Sequence, residues 1–165
     1  MLLEDFNAAG RAEAAESLRP CLDIARWIQE IVDSRPFGST RSLLEAAGRA
    51  AEPFTDAEVE AALAHHPRIG ERAAGNSAEA RLSQAEQATL GAPDPAVAAA
   101  IAEGNRSYEE KFGRVFLIRA AGRSRDEILA ALNTRLAHTP DEEQVVIGQQ
   151  LREIAVLRLE GLIGA

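Results

Sequence analysis

The run His66-Pro67-Arg68-Ile69-Gly70-Glu71 sets a titratable group at the end of an apolar helical stripe. Val59, Ala62 and Leu63 recur at three- and four-residue spacing, which puts them on one face of a helix. His66 follows Ala62 by four residues and Leu63 by three, so it extends that inward face, whereas His65 falls on the other side. Pro67 disfavours helical geometry in its predecessor and ends the helix there. An imidazole mounted this way, beside a glycine-containing loop, suits general acid or base work, because it titrates near neutral pH and burial tunes it. The same position also suits a hydrogen-bonded core residue, the commoner role of a lone histidine on an apolar face. The stretch by itself leaves both roles open.

A second anomaly lies near the C-terminus. Ile147, Leu151, Ile154 and Leu162 form one stripe, and Arg158 fills its missing position, four residues after Ile154 and four before Leu162. A guanidinium on a core stripe costs several kcal/mol unless it meets an anion. Either Arg158 snorkels to water at an exposed helix end, or it grips a carboxylate through its two-pronged fork. Ser83-Gln84-Ala85-Glu86 has the spacing of a capping box, which would give Ser83 and Glu86 a complete structural role at a helix start. Asn105, Tyr108 and Phe112 share a face with Val97 and Ile101, and can line a polar pocket or satisfy each other at a helix contact. Glu109, Glu110 and Lys111 read as a solvated face. There is no Walker-type phosphate loop and no Gly-x-Ser-x-Gly elbow, and His65, His66 and His138 lack metal-ligand spacing.

The elements that must position these residues are helical. Ala, Leu, Glu and Arg dominate, β-branched residues are scarce, and few stretches alternate at period two. Thr55-Asp56-Ala57-Glu58 and Ser124-Arg125-Asp126-Glu127 read as capping boxes; Thr139-Pro140 and Asp94-Pro95 read as caps followed by proline in the first turn. Helices are expected over 11–18, 22–33, 40–51, 56–65, 83–90, 95–112, 125–136 and 141–162. Val115 to Ile118 is expected to be extended, and Arg72 to Ala80 a loop. The expectation is an all-α bundle of about eight helices, one domain over 1–165. That length suffices for a real core without disulfides. A net charge of −8 argues against a nucleic-acid surface. No apolar run approaches membrane-spanning length, and Met1-Leu2-Leu3 passes at once into Glu4 and Asp5, unlike a signal peptide. With Cys21 as the single cysteine, the expected compartment is the cytosol.

Taken together, His66 to Glu71, Leu82-Ser83-Gln84-Ala85-Glu86-Gln87, Asn105 to Gly113, Phe116-Leu117-Ile118, Gly122-Arg123-Ser124, Leu157-Arg158-Leu159 and the early Phe6-Asn7 resemble one family. That family is 2-oxo-4-hydroxy-4-carboxy-5-ureidoimidazoline decarboxylase, which closes the route from urate to (S)-allantoin. The resemblance covers nearly the whole chain, and its most specific part is the histidine-proline segment followed by Ser-x-x-Glu-Gln. It implies an all-α fold, a cofactor-free decarboxylation of a small molecule, and a homodimer. It also implies His66 as the catalytic histidine, Glu86 as its acidic partner and Arg158 as the substrate-binding arginine. Pro67 and Ser83 would line the pocket, and Phe116 and Ile118 would offer backbone groups to the ring. Arg135-Leu136-Ala137-His138 departs from the pattern, since the family more often has asparagine near His138, and it is expected to lie outside the site. The family's fused form adds a transthyretin-like hydrolase domain, for which 165 residues leave no room. Two other readings stay open: a non-enzymatic helical interaction module, and a lyase or hydrolase of a related purine-derived ureide.

Overall fold

A computed structural model describes residues 1–71 and 75–164. Among these residues there are nine helices: α1 (Leu3–Ala8), α2 (Arg11–Leu18), α3 (Ala25–Asp33), α4 (Thr40–Ala47), α5 (Asp56–Leu63), α6 (Ala78–Ala88), α7 (Pro95–Phe112), α8 (Arg125–Leu136) and α9 (Pro140–Gly164). No strand occurs among the described residues. The all-α expectation holds, with one helix more than the sequence pattern suggested. The additional one, α1, is a six-residue helix too short to show a period. It is tied down by Phe6, which is fully buried, and by Asn7, whose side-chain amide exchanges two 2.9 Å hydrogen bonds with the backbone of Phe37.

Helix boundaries follow the local cap chemistry. Thr55 and Ser124 each accept from the backbone N–H three residues on, and Glu58 and Glu127 return the bond. Asp94 accepts from Ala96 and Val97 ahead of α7, and Gly113 closes that helix in the left-handed conformation (φ 69°), which glycine adopts without strain. The capping box expected at Ser83 and Glu86 is overturned. The cap of α6 is Ser77, whose hydroxyl accepts from Ala80 N–H at 3.0 Å, so Ser83 and Glu86 lie inside the helix. The expected loop over Arg72 to Ala80 is corrected at the same point, since residues from Ala78 are helical; Arg72, Ala73 and Ala74 lie outside the described residues.

Two apolar clusters build the core. One gathers α1 to α5 and α9 around Phe6, Trp27, Leu43 and Ile147. The other joins α7 to α8 around Tyr108, Ile128 and Leu132. These last two helices approach so closely at Gly104 that an added Cβ would lie 2.4 Å from the Leu132 side chain. Residues 115–120 belong to no helix, as expected. Along this segment Phe116, Ile118 and Ala120 enter the second cluster and Leu117 enters the first. That alternation is the period-two signature of extended chain, used here to join two cores.

Candidate active site

With α6 capped by Ser77, Glu79, Ser83 and Glu86 fall inside it at spacings of four and three and share one face. That face meets Arg158 of α9. The Arg158 Nε donates to Glu86 Oε1 at 2.7 Å, and Nη2 donates to Glu86 Oε2 at 3.0 Å and to Ser83 Oγ at 3.1 Å. Its Nη1 donates to the carbonyl of Pro20 at 3.2 Å and lies 3.7 Å from a Glu79 oxygen. The Arg158 side chain is 1% exposed and that of Glu86 25%. Arg158 is therefore a paired core cation and not a snorkelling one, and its fork is occupied by a carboxylate of the protein itself. Glu86 is correspondingly released from any capping role.

His66 lies just beyond α5. That helix ends at Leu63, two residues earlier than expected, and its last turn tightens through i→i+3 bonds from His65 to Ala62 and from His66 to Leu63. The following loop is clamped from two helices. The Gln87 side-chain amide accepts from Gly70 N–H at 3.0 Å and donates to the carbonyls of Arg68 and Glu71. Asn105 donates to the Ile69 carbonyl at 3.2 Å, and Arg68 pairs with Glu109 at 2.6 Å. Gly70 permits the turn with φ 92°. Asn105 and Glu109, which the sequence left as a pocket or contact residue and a solvated one, thus hold the histidine loop against α7.

His66, Pro67, Ser83, Glu86, Phe116 and Ile118 line one small pocket, together with Ile69 and Gln87. Its free space is about 20 Å³, room for about one water. Arg158 stands behind Ser83 and Glu86 and faces a different cavity of about 360 Å³, beside Pro20, Cys21 and Leu162. The pKa of His66 is pushed down to about 3, first by burial and then by the positive charge of Arg158. The imidazole is half-buried and uncharged at neutral pH. Burial also raises the carboxyl of Glu79, and it pushes the Cys21 thiol up to about 12, which leaves that thiol protonated and unreactive.

A larger space of about 880 Å³ adjoins across Ile69 and Gln87. It is lined by exposed arginine–glutamate pairs such as Arg68–Glu109, and none of His66, Ser83, Glu86 or Arg158 borders it. Chemistry, not volume, singles out the small pocket. Sequence reasoning missed Glu79 and the Pro20 carbonyl as partners of Arg158. A helix start placed at Ser77 would have revealed Glu79, whereas the Pro20 contact spans 138 residues and leaves no local trace.

Known proteins resemble this chain in both sequence and fold. Residues 7–160 match the family model described as OHCU decarboxylase. A 2-oxo-4-hydroxy-4-carboxy-5-ureidoimidazoline decarboxylase of Haloferax volcanii is 32% identical over 162 residues, covering 96% of this chain and 94% of that one. The protein of the same description from Amia calva is 30% identical over 87% of this chain and 81% of its own. The fold also matches a crystal structure of OHCU decarboxylase in the presence of (S)-allantoin, with a TM-score of 0.73 and 24% identity, covering 91% of this chain and 99% of that one.

Proposed function

The chain belongs to the OHCU decarboxylase family, and from that premise we propose that it is a carboxy-lyase converting 2-oxo-4-hydroxy-4-carboxy-5-ureidoimidazoline to (S)-allantoin in urate degradation. One observation carries the reading furthest. A neutral His66 and a Glu86 carboxylate held by a buried arginine face the same pocket.

In the substrate, one ring carbon carries a carboxylate and a hydroxyl and neighbours a ring C=N bond. Breaking the bond to the carboxylate releases carbon dioxide, and its electron pair forms a new C=C bond. The displaced C=N pair goes to nitrogen, which takes up a proton. The resulting hydroxy-enamine then loses its hydroxyl proton to become a carbonyl, while the former imine carbon gains a proton on one face. One proton is consumed overall, and the substrate is its own electron sink.

The protein's task is orientation and proton delivery. His66, uncharged, accepts the hydroxyl proton and returns it to the ring carbon. Glu86, fixed at both oxygens by Arg158, keeps lone pairs for the ureido N–H groups. Arg158 acts through Glu86 and adds its positive field to the pocket, where negative charge shifts during the reaction. Pro67 and Ser83 line the pocket, and Phe116 and Ile118 turn backbone groups toward the ring. Ile69 and Gln87 must part for a molecule of this size to enter from the larger space. No metal enters the mechanism. The reading includes a cytosolic homodimer.

The test feeds freshly oxidised urate and hydroxyisourate hydrolase to the protein and follows optical activity. A fast, single-handed rise to (S)-allantoin supports the assignment. Racemic product at the spontaneous rate overturns it.

A further inference from the structure

The wall of the small pocket has no sheet to hold it. Residues 115–120 lie outside all helices, so their backbone groups need partners from side chains. Two such bonds occur: Gln150 Oε1 accepts from Arg119 N–H at 2.9 Å, and Arg135 Nη1 donates to the Leu117 carbonyl at 2.6 Å. The Arg135 guanidinium also stacks 4.5 Å from the centre of the Phe116 ring. Arg135 therefore touches the pocket wall at two consecutive residues.

Arg135 is itself held by several partners. Its side chain is 6% exposed, and Glu143 beside it 1%. Glu143 accepts from Arg135 Nε at 2.7 Å and from the Tyr108 hydroxyl at 2.5 Å, and is also paired with Arg135 Nη2. His138 Nδ1 lies 3.1 Å from the other Glu143 oxygen. None of these four residues borders the pocket. A buried ion pair is poor evidence of net stability, because desolvation offsets the attraction. What this pair does supply is a rigid anchor across α7, α8 and α9, aimed at one backbone carbonyl.

We propose that Arg135, oriented by Glu143, is a positioning residue that sets the conformation of the Phe116–Ile118 wall and so tunes catalysis from outside the pocket. This rests on the decarboxylase reading above, and it brings the Arg135–His138 segment, expected to be irrelevant, into the working of the site. Arginine is required because its planar fork can reach the Leu117 carbonyl, the Phe116 face and Glu143 together, whereas a lysine ammonium is a point charge.

The experiment compares Arg135→Lys and Arg135→Met with Leu43→Ala, a core truncation away from the pocket. Thermal unfolding, kcat and KM per folded molecule, and amide exchange at residues 116–119 are measured on each. Both Arg135 variants are expected to lose at least tenfold in kcat/KM and to speed exchange at 116–119 at least tenfold. Leu43→Ala, at a comparable loss of Tm, should stay within twofold on both. Wild-type kcat/KM and exchange in Arg135→Lys would overturn the proposal. So would equal losses in Leu43→Ala, or failure of both Arg135 variants to fold, either of which would reduce the cluster to holding the fold. If the wild-type protein fails to speed decarboxylation, the functional reading falls, and exchange at 116–119 still decides whether Arg135 holds the wall.

Discussion

His66 is uncharged at neutral pH because burial penalises the imidazolium and the Arg158 guanidinium repels it. A neutral imidazole can receive a proton in the first half of a transfer and give it back in the second, which a residue already protonated cannot. The same shift has a thermodynamic consequence. The unfolded chain binds a proton at His66 near pH 6.5, while the folded chain resists until about pH 3. Between those values the unfolded state holds more protons, so folding stability rises with pH across that window and is lost as pH falls through it. His66→Asn, close in size and hydrogen-bonding capacity, should remove this contribution. Its urea midpoint should match or trail the wild type at pH 7 and gain on it steadily down to pH 4, while (S)-allantoin formation falls by a hundredfold or more. A constant gap between the two midpoints across that range would mean that His66 titrates normally in the fold.

Helix α6 shows how one boundary decides the meaning of several residues. Read as starting at Ser83, it makes Ser83 and Glu86 a finished capping box with nothing left for chemistry. Starting instead at Ser77, it turns three side chains onto Arg158. Both serines have cap chemistry, and local pattern alone favours the one followed by glutamate; the tertiary pull of a buried arginine on α9 chooses the other. By contrast α2, α7 and α8 match their expected spans, because their termini carry unambiguous caps or fall beside glycine. The stripe anomaly at Arg158 was legible for the same reason that it is important, since a cation among Ile147, Leu151 and Ile154 demands a partner. Which residue pairs with it was not legible: the family resemblance brings Glu86 and Arg158 to one site but gives Glu86 to His66 and Arg158 to the substrate, and the pair itself emerges only in the fold. Arg158→Met tests the tie between α6 and α9. It leaves Glu86 and Ser83 without their donor, and breaking such a pair should cost about 3 kcal/mol, read as a lower denaturant midpoint. Removing the positive charge should also let the His66 pKa climb part of the way back, burial being its larger cause. The acid limb of kcat/KM should move toward neutral pH. An unmoved limb would mean that Arg158 exerts no electrostatic hold on His66.

At the scale of the whole molecule, the candidate site sits where two apolar cores meet. Of its lining, Ile69, Phe116, Ile118 and Ala120 belong to the α7–α8 cluster, and Leu117 and Ile154 to the cluster built on α9. His66 hangs from α5 in the first core, yet its loop is pinned by Asn105 of α7 in the second. Pocket geometry therefore depends on the relative placement of the two cores, which several residues couple. Leu117 is the plainest of these: it is 4% exposed, inserts into the first core, and is flanked by neighbours inserted into the second. Truncating it should loosen that coupling in addition to leaving a cavity. Leu117→Ala and Leu43→Ala each remove the same atoms from a buried site and should each cost about 2–5 kcal/mol. They should part on ligand binding. Added (S)-allantoin is expected to raise the Tm of the wild type and that of Leu43→Ala by the same amount, because ligand stabilisation depends only on affinity and concentration. The corresponding rise in Leu117→Ala should shrink markedly, as affinity falls with the register of the two cores. Equal ligand-induced shifts in both variants would show that the pocket keeps its shape without Leu117, and that the two cores are coupled elsewhere.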